Sequence, residues 1–262
     1  MLQVNEGTLV ATVLRNLGLA GQEQDAAFDK FVRNVVIDNA TITQDALDHF
    51  KELFPENDRT LGAPFNTGDP LFDRGEAWYT VQTFLSARRL FFEHGASRQP
   101  MFAYYFTEFI PGSDPTLGGE PLVWHQGRFQ SLNPSVFHAS ELEFLFGTES
   151  LPSVENEFSN QMQDFWINFV SDLDPGGVLL FSGNLHWLHG MTHDKGSWPR
   201  YDLNSKQVMQ LNRNNQTYIP DGEIQSSGIM LTVWLLMSPF KDWDLEKTKF
   251  SNSIRLLYEF QK

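Results

Sequence analysis

The residue with the clearest chemical potential is His138, in the stretch SVFHASELEFLFGTE at residues 135–149. Phe137 precedes it, an acidic-apolar run follows, and the chain turns at Gly147. Imidazole is the side chain whose ordinary titration falls near neutral pH, and an apolar setting fixes it and keeps water away. That suits a general base, which must be held within hydrogen-bond reach of the proton it removes. A core histidine with one hydrogen-bond partner fits the same surroundings, so the stretch by itself leaves both readings open.

A histidine base works best when a carboxylate holds its second ring nitrogen and stabilises the imidazolium as it forms. Glu6, in VNEGTL, is a candidate. Gly7 permits a sharp turn after it, and a helix is expected to open at Thr8. An acid between a strand end and a helix is well placed to project into a site. A solvated carboxylate at a helix entry fits equally well. Glu141, three residues after His138, invites a metal reading, but one His-x-x-Glu without further ligands makes a poor site, and Glu141 reads as structural. His186, His189 and His193 in HWLHGMTH also have ligand-like spacing, inside residues 178–195. No metal ion or organic cofactor is implied.

Apolar periodicity supplies the elements that must position these groups. Residues 22–37 carry Phe28, Phe31, Val32, Val35 and Val36 on one helical stripe, and residues 43–54 carry Ala46, Leu47, Phe50, Leu53 and Phe54 before Pro55. A longer helix is expected over residues 75–94, ending at Gly95. QPMFAYYFTEF, residues 99–109, reads as a strand buried on both faces. A helix over 159–172 takes Ser159 as N-cap and turns Met162, Phe165, Trp166, Phe169 and Val170 inward. KQVMQLNRNNQTYI then reads as two short strands about an Asn-rich turn. Helices with few strands indicate an α/β class with an incomplete sheet.

Composition narrows the partners. The 262 residues are 41% hydrophobic with 23 phenylalanines, enough for a large core. A formal charge of −14 argues against a nucleic-acid partner. The absence of cysteine removes disulfides and thiol chemistry. GIMLTVWLLM is too short for a transmembrane segment, and no signal peptide is visible after Met1. The sequons at Asn39 and Asn215 would be used only in a secretory pathway.

Taken together, NEGTL and the later FHASELEFLFG resemble the acid and histidine motifs of the type-B carboxylesterases, the cholinesterase and fungal lipase family of α/β-hydrolases. APFNTGDPLF, ARRLFFEHG, QPMFAYYFTEF, MQDFWINFVSDLDP and WPRYD follow in the family's order, so the resemblance covers most of residues 1–221. It implies a C-terminal part of an α/β-hydrolase fold, with Glu6 and His138 as the acid and histidine of a Ser-Glu-His triad and an ester or lipid as small-molecule substrate. It also implies a secreted full-length protein. Oligomeric state is left undetermined.

The Gly-x-Ser-x-Gly nucleophile motif does not occur in the 262 residues, nor does the family's glycine-rich oxyanion strand. The expectation is therefore a fragment, inactive on its own. Two segments interrupt the pattern: 119–135, since joining Gly118 to Val136 restores LGVFHASEL, and 178–195 before WPRYD. Retained introns would explain both; surface insertions are the alternative, and in either case irregular backbone outside the core is expected. Residues 222–262 form a divergent tail to which no function is carried. A non-catalytic adhesion module of neuroligin-like type is the competing role, which has no need to keep both Glu6 and His138.

Overall fold

Side chains along residues 101–108 alternate between two environments, and that alternation organises the molecule. A computed structural model of the chain describes residues 10, 13–36, 42–57, 68–108, 123–125, 128–130, 141–147, 151–176, 198–223 and 243–258. β1 (Tyr104–Phe106) pairs in parallel with β4 (Gln207–Leu211), which pairs antiparallel with β5 (Thr217–Pro220). Met101, Ala103, Tyr105 and Val208 face one apolar cluster; Tyr104, Phe106, Met209 and Leu211 face another. This is the period-two pleat of a strand buried on both sides. The strand is shorter than residues 99–109 suggest, although burial runs on through Glu108.

The first cluster is built by α1 (Gly21–Val35), α2 (Gln44–Leu53), α3 (Pro70–Thr80), α4 (Ser86–Gly95) and α7 (Trp243–Tyr258). Trp78 is fully buried at its centre, meeting Phe28, Phe31 and Phe50 edge-to-face with centroids 6.3, 5.7 and 5.6 Å away. That geometry sets the electropositive ring edge against a neighbouring π face. Arg74 is buried beside them, paired to Asp25 at 2.7 Å and lying over the Phe28 ring at 4.3 Å.

α3 starts earlier than residue 75, because Asp69 caps it by accepting from the Phe72 amide at 3.2 Å and Pro70 fits the first turn. Between α3 and α4, Val81–Leu85 forms one wide π turn that leaves the helix unbroken. Two adjacent arginines beyond it, Arg88 and Arg89, converge on buried Asp221, which also accepts from the Tyr201 hydroxyl at 2.8 Å. Burial by itself would raise the Asp221 pKa, but the two guanidinium groups lower it to about 2.

The second cluster is built by α5 (Leu142–Phe146) and α6 (Asn156–Asp172), the latter entered through a 3₁₀ turn at Ser153–Glu155. Ser159 lies inside α6, not at its N-cap. Its hydroxyl is instead buried and donates to the Phe144 carbonyl at 2.6 Å. Met162 and Phe165 face inward as expected, but Phe169 is 43% exposed and Val170 77%. The exposed side of the last turn of α6 therefore carries apolar side chains, although Phe169 still meets Phe102 with ring centroids 6.1 Å apart.

β2 (Val123–His125) and β3 (Arg128–Gln130) pair antiparallel in a sheet of their own. Those six residues of segment 119–135 are thus regular where irregular backbone was expected, and they are not strands of the three-stranded sheet. Segment 178–195, with His186, His189 and His193, lies outside the described residues, as does most of the tail before Trp243. Among the described residues, no helix is long and apolar enough to cross a membrane.

Because Trp78 joins three aromatic partners from two helices, Trp78→Ala should lower stability by about 3–5 kcal/mol. Phe146→Ala, 77% exposed, should change it by less than about 0.5 kcal/mol. Guanidinium unfolding midpoints of the two variants check this contrast.

Candidate active site

Glu6 and His138 both lie outside the described residues. Described residues follow each of them in the chain, from Val10 after Glu6 and from Glu141 after His138. After Glu6, buried Val10 and Leu14 lie against Gly75 of α3. A Cβ on Gly75 would lie 2.9 Å from Val10 Cγ1 and closer still to Leu14 Cδ1. Glycine is needed here for close approach, not for its backbone freedom. Asn16 then donates its amide to Asp69 Oδ2 at 2.5 Å, tying this segment to the start of α3.

β1 carries the chain toward His138, and its C-terminal end is held firmly. The Thr107 amide donates to the Leu211 carbonyl at 2.9 Å, and Asn212 Nδ2 donates to the Thr107 carbonyl at 3.1 Å. The Arg213 amide donates to Glu108 Oε2 at 2.7 Å, so a buried side chain clamps the β4–β5 turn to the end of β1. Arg213 Nη1 meets Glu155 Oε1 at 2.7 Å, extending the clamp to the turn that enters α6. In α/β sheets the carboxyl ends of strands are where ligands and reacting groups gather.

Three residues after His138, Glu141 opens α5, its carbonyl accepting from the amides of Phe144 and Leu145 at 3.1 Å each. Glu141 therefore works as helix-start backbone. Phe144 is fully buried, its ring 5.3 Å from Phe106 and 5.4 Å from Phe158. Its carbonyl takes a second donor, Gln163 Nε2, at 3.3 Å. Gly147 closes α5 in the left-handed region at φ 59°, with Gln163 Nε2 lying 2.9 Å from where a Cβ would sit. Sequence reasoning missed Gln163, and it reads Ser159 as a cap where the structure makes it a buried donor. A polar pair four apart on one face of an apolar helix is the signal that could have found both roles.

Two buried carboxylates share one guanidinium here, and this sets the electrostatics. Burial raises the Glu108 pKa to about 7, helped by nearby Glu155 and opposed by the bond from the Arg213 amide and by its charge. Burial also raises Glu155, again opposed by Arg213, and Glu155 Oε2 is buried with no hydrogen-bond partner among the described residues. One cation cannot balance two carboxylates in a poor dielectric, so Glu108 retains a proton near neutrality. Among the described residues, no group of three or more His, Cys, Asp or Glu could hold a metal ion.

Folding strengthens proton binding at Glu108, so its contribution to stability is complete below about pH 4.5 and is lost as pH rises through about 7. The cost across that window is on the order of 3 kcal/mol. Glu108→Gln should flatten this part of the stability–pH profile, read as guanidinium midpoints at pH 5 and pH 8. Equal slopes for the two proteins would remove Glu108 as the cause.

Comparison with known proteins bears on this arrangement. A family model described as the carboxylesterase family matches residues 6–226. A search of solved structures finds Aspergillus niger EstA, at a TM-score of 0.59 and 14% identity. The match covers 98% of this chain and 40% of that one, so the chain spans well under half the length of this neighbour. At that identity the likeness speaks to fold. A comparison with curated proteins finds no match.

Proposed function

The chain belongs to the carboxylesterase family, and from that premise we propose that it supplies the acid and histidine of a Ser-Glu-His triad for carboxylic ester hydrolysis. The observation that carries the reading is the pair of motifs, NEGTL with Glu6 and FHASELEFLFG with His138, standing in family order within the matched residues. The described frame supports it. β1 is clamped at the end from which the chain leads to His138, and α5 is held immediately after it.

In this mechanism a serine hydroxyl attacks the ester carbonyl while His138 takes its proton. The tetrahedral intermediate collapses, the C–O bond to the alcohol breaks, and His138 returns the proton to the leaving oxygen. Water then repeats the cycle on the acyl-serine and releases the acid. Glu6 orients the imidazole and balances its positive charge without taking the proton itself. A carboxylate oxygen of Glu6 is expected within about 2.6–3.2 Å of a His138 ring nitrogen.

The 262 residues contain no Gly-x-Ser-x-Gly. We place the nucleophile and the oxyanion donors on protein outside them, with an ester or lipid as substrate. Secretion of the complete protein is part of the same reading, and the exposed Asn215 sequon in the β4–β5 turn is consistent with it.

The test compares two proteins on p-nitrophenyl butyrate: the 262-residue chain, and the product of the reading frame extended upstream of Met1. The chain alone should stay at background, and His138→Ala should leave that unchanged. The extended protein should contain Gly-x-Ser-x-Gly and lose on the order of 10⁶-fold in kcat on His138→Ala. A different residue at the serine position, or no loss in that variant, would overturn the assignment.

A further inference from the structure

A cavity of about 310 Å³ opens between the N-terminal end of β1, the last turns of α6 and the end of α4. Its walls include Phe91, Phe102, Phe165, Trp166, Phe169 and Trp198. The rings brace one another edge-to-face: Phe165 on Trp198 at 5.1 Å, Phe102 on Phe169 at 6.1 Å, and Tyr104 on Trp166 at 5.0 Å. Such packing keeps the space open, because each ring that moved inward would abandon a partner. The volume falls in the range of small-molecule sites, about 300–1,000 Å³.

The cavity and the clamped turn at Glu108 stand at different ends of β1. From Phe102 at its wall to Glu108 at the clamped end is about 20 Å of strand. It lies at the opposite end of β1 from the one that leads to His138.

We propose that the cavity is a second ligand site, taking an uncharged aromatic molecule. The wall chemistry makes the choice. Among the described residues that line it there is no Lys, Arg, His, Asp or Glu, and the polar side chains are Gln99, Tyr104, Trp166 and Trp198. Burial pushes the Tyr104 pKa up, so the phenol stays neutral. An anion would enter without a counter-charge, on a chain of formal charge −14. Phe91, 62% exposed, and Phe169, 43% exposed, are wall residues with ring surface open to water. A flat ring packing against them would bury that surface. The inference stands independently of the hydrolase reading.

The test titrates the 262-residue chain with 2-acetylnaphthalene, a neutral ketone that cannot be hydrolysed, and follows tryptophan fluorescence with calorimetric stoichiometry. One saturable site is expected. The shape-matched anion 2-naphthoate should bind at least about tenfold more weakly, as should Phe169→Ala and Phe91→Ala with the ketone. Phe146→Ala, exposed on α5 and absent from the cavity wall, should bind like the parent. Both wall residues are substantially exposed, so circular dichroism should show these variants folded. Unsaturable quenching, equal affinity for the anion, or wall variants that behave like Phe146→Ala would each overturn the proposal.

Discussion

The constraint on which the structure rests is that β1 is buried on both faces. A strand in that position must supply large apolar side chains in both directions, and residues 101–106 do, with Met101, Ala103 and Tyr105 on one side and Phe102, Tyr104 and Phe106 on the other. Its parallel pairing with β4 sets Tyr104 opposite Met209 and Phe106 opposite Leu211, so β4 must follow the same alternation. A slip of one residue would send each of these side chains into the wrong cluster. Both helical layers depend on that register.

Polar groups inside such a frame are tolerable only where partners are arranged for them. Asp221 has three: two arginines next to one another on α4 and the hydroxyl of Tyr201. Its charge is therefore held down to very acid pH. Glu108 and Glu155 show the opposite balance, since a single arginine serves both. The difference follows from partner count rather than burial, because all three residues are almost fully buried. A well-satisfied anion thus anchors the helical layer, while a poorly satisfied pair sits at the clamped end of β1, from which the chain leads to His138.

The two ends of β1 are chemically unlike. At one, charged side chains and backbone amides converge on the β4–β5 turn and the entry to α6. At the other, aromatic rings surround an uncharged cavity. That polarity follows from α6, whose N-terminal half packs Phe158 and Ser159 closely onto α5, whereas its C-terminal half leaves Phe169 partly in solvent.

The sequence by itself determined the family, the α/β class, the helical stripes of α1 and α2, the doubly buried strand and the Asn-rich hairpin of β4 and β5. These are local matters: periodicity, turn residues and quoted motifs are written within a few residues of one another. It also brought out Glu6 and His138 as the residues of interest, through motif order alone. Tertiary structure decided what lies far apart in the chain. Ser159 reads as a helix cap from its type and position. It became a buried donor to Phe144 because packing α6 on α5 leaves that carbonyl needing a partner. Phe169 and Val170 fit the apolar stripe of α6, yet a stripe cannot reveal that the last turn of the helix is left partly in solvent. The convergence of Arg88, Arg89 and Tyr201 on Asp221 joins residues up to 133 positions apart. No local pattern encodes it, because the energy of such a cluster depends on charges brought together only when the layers close.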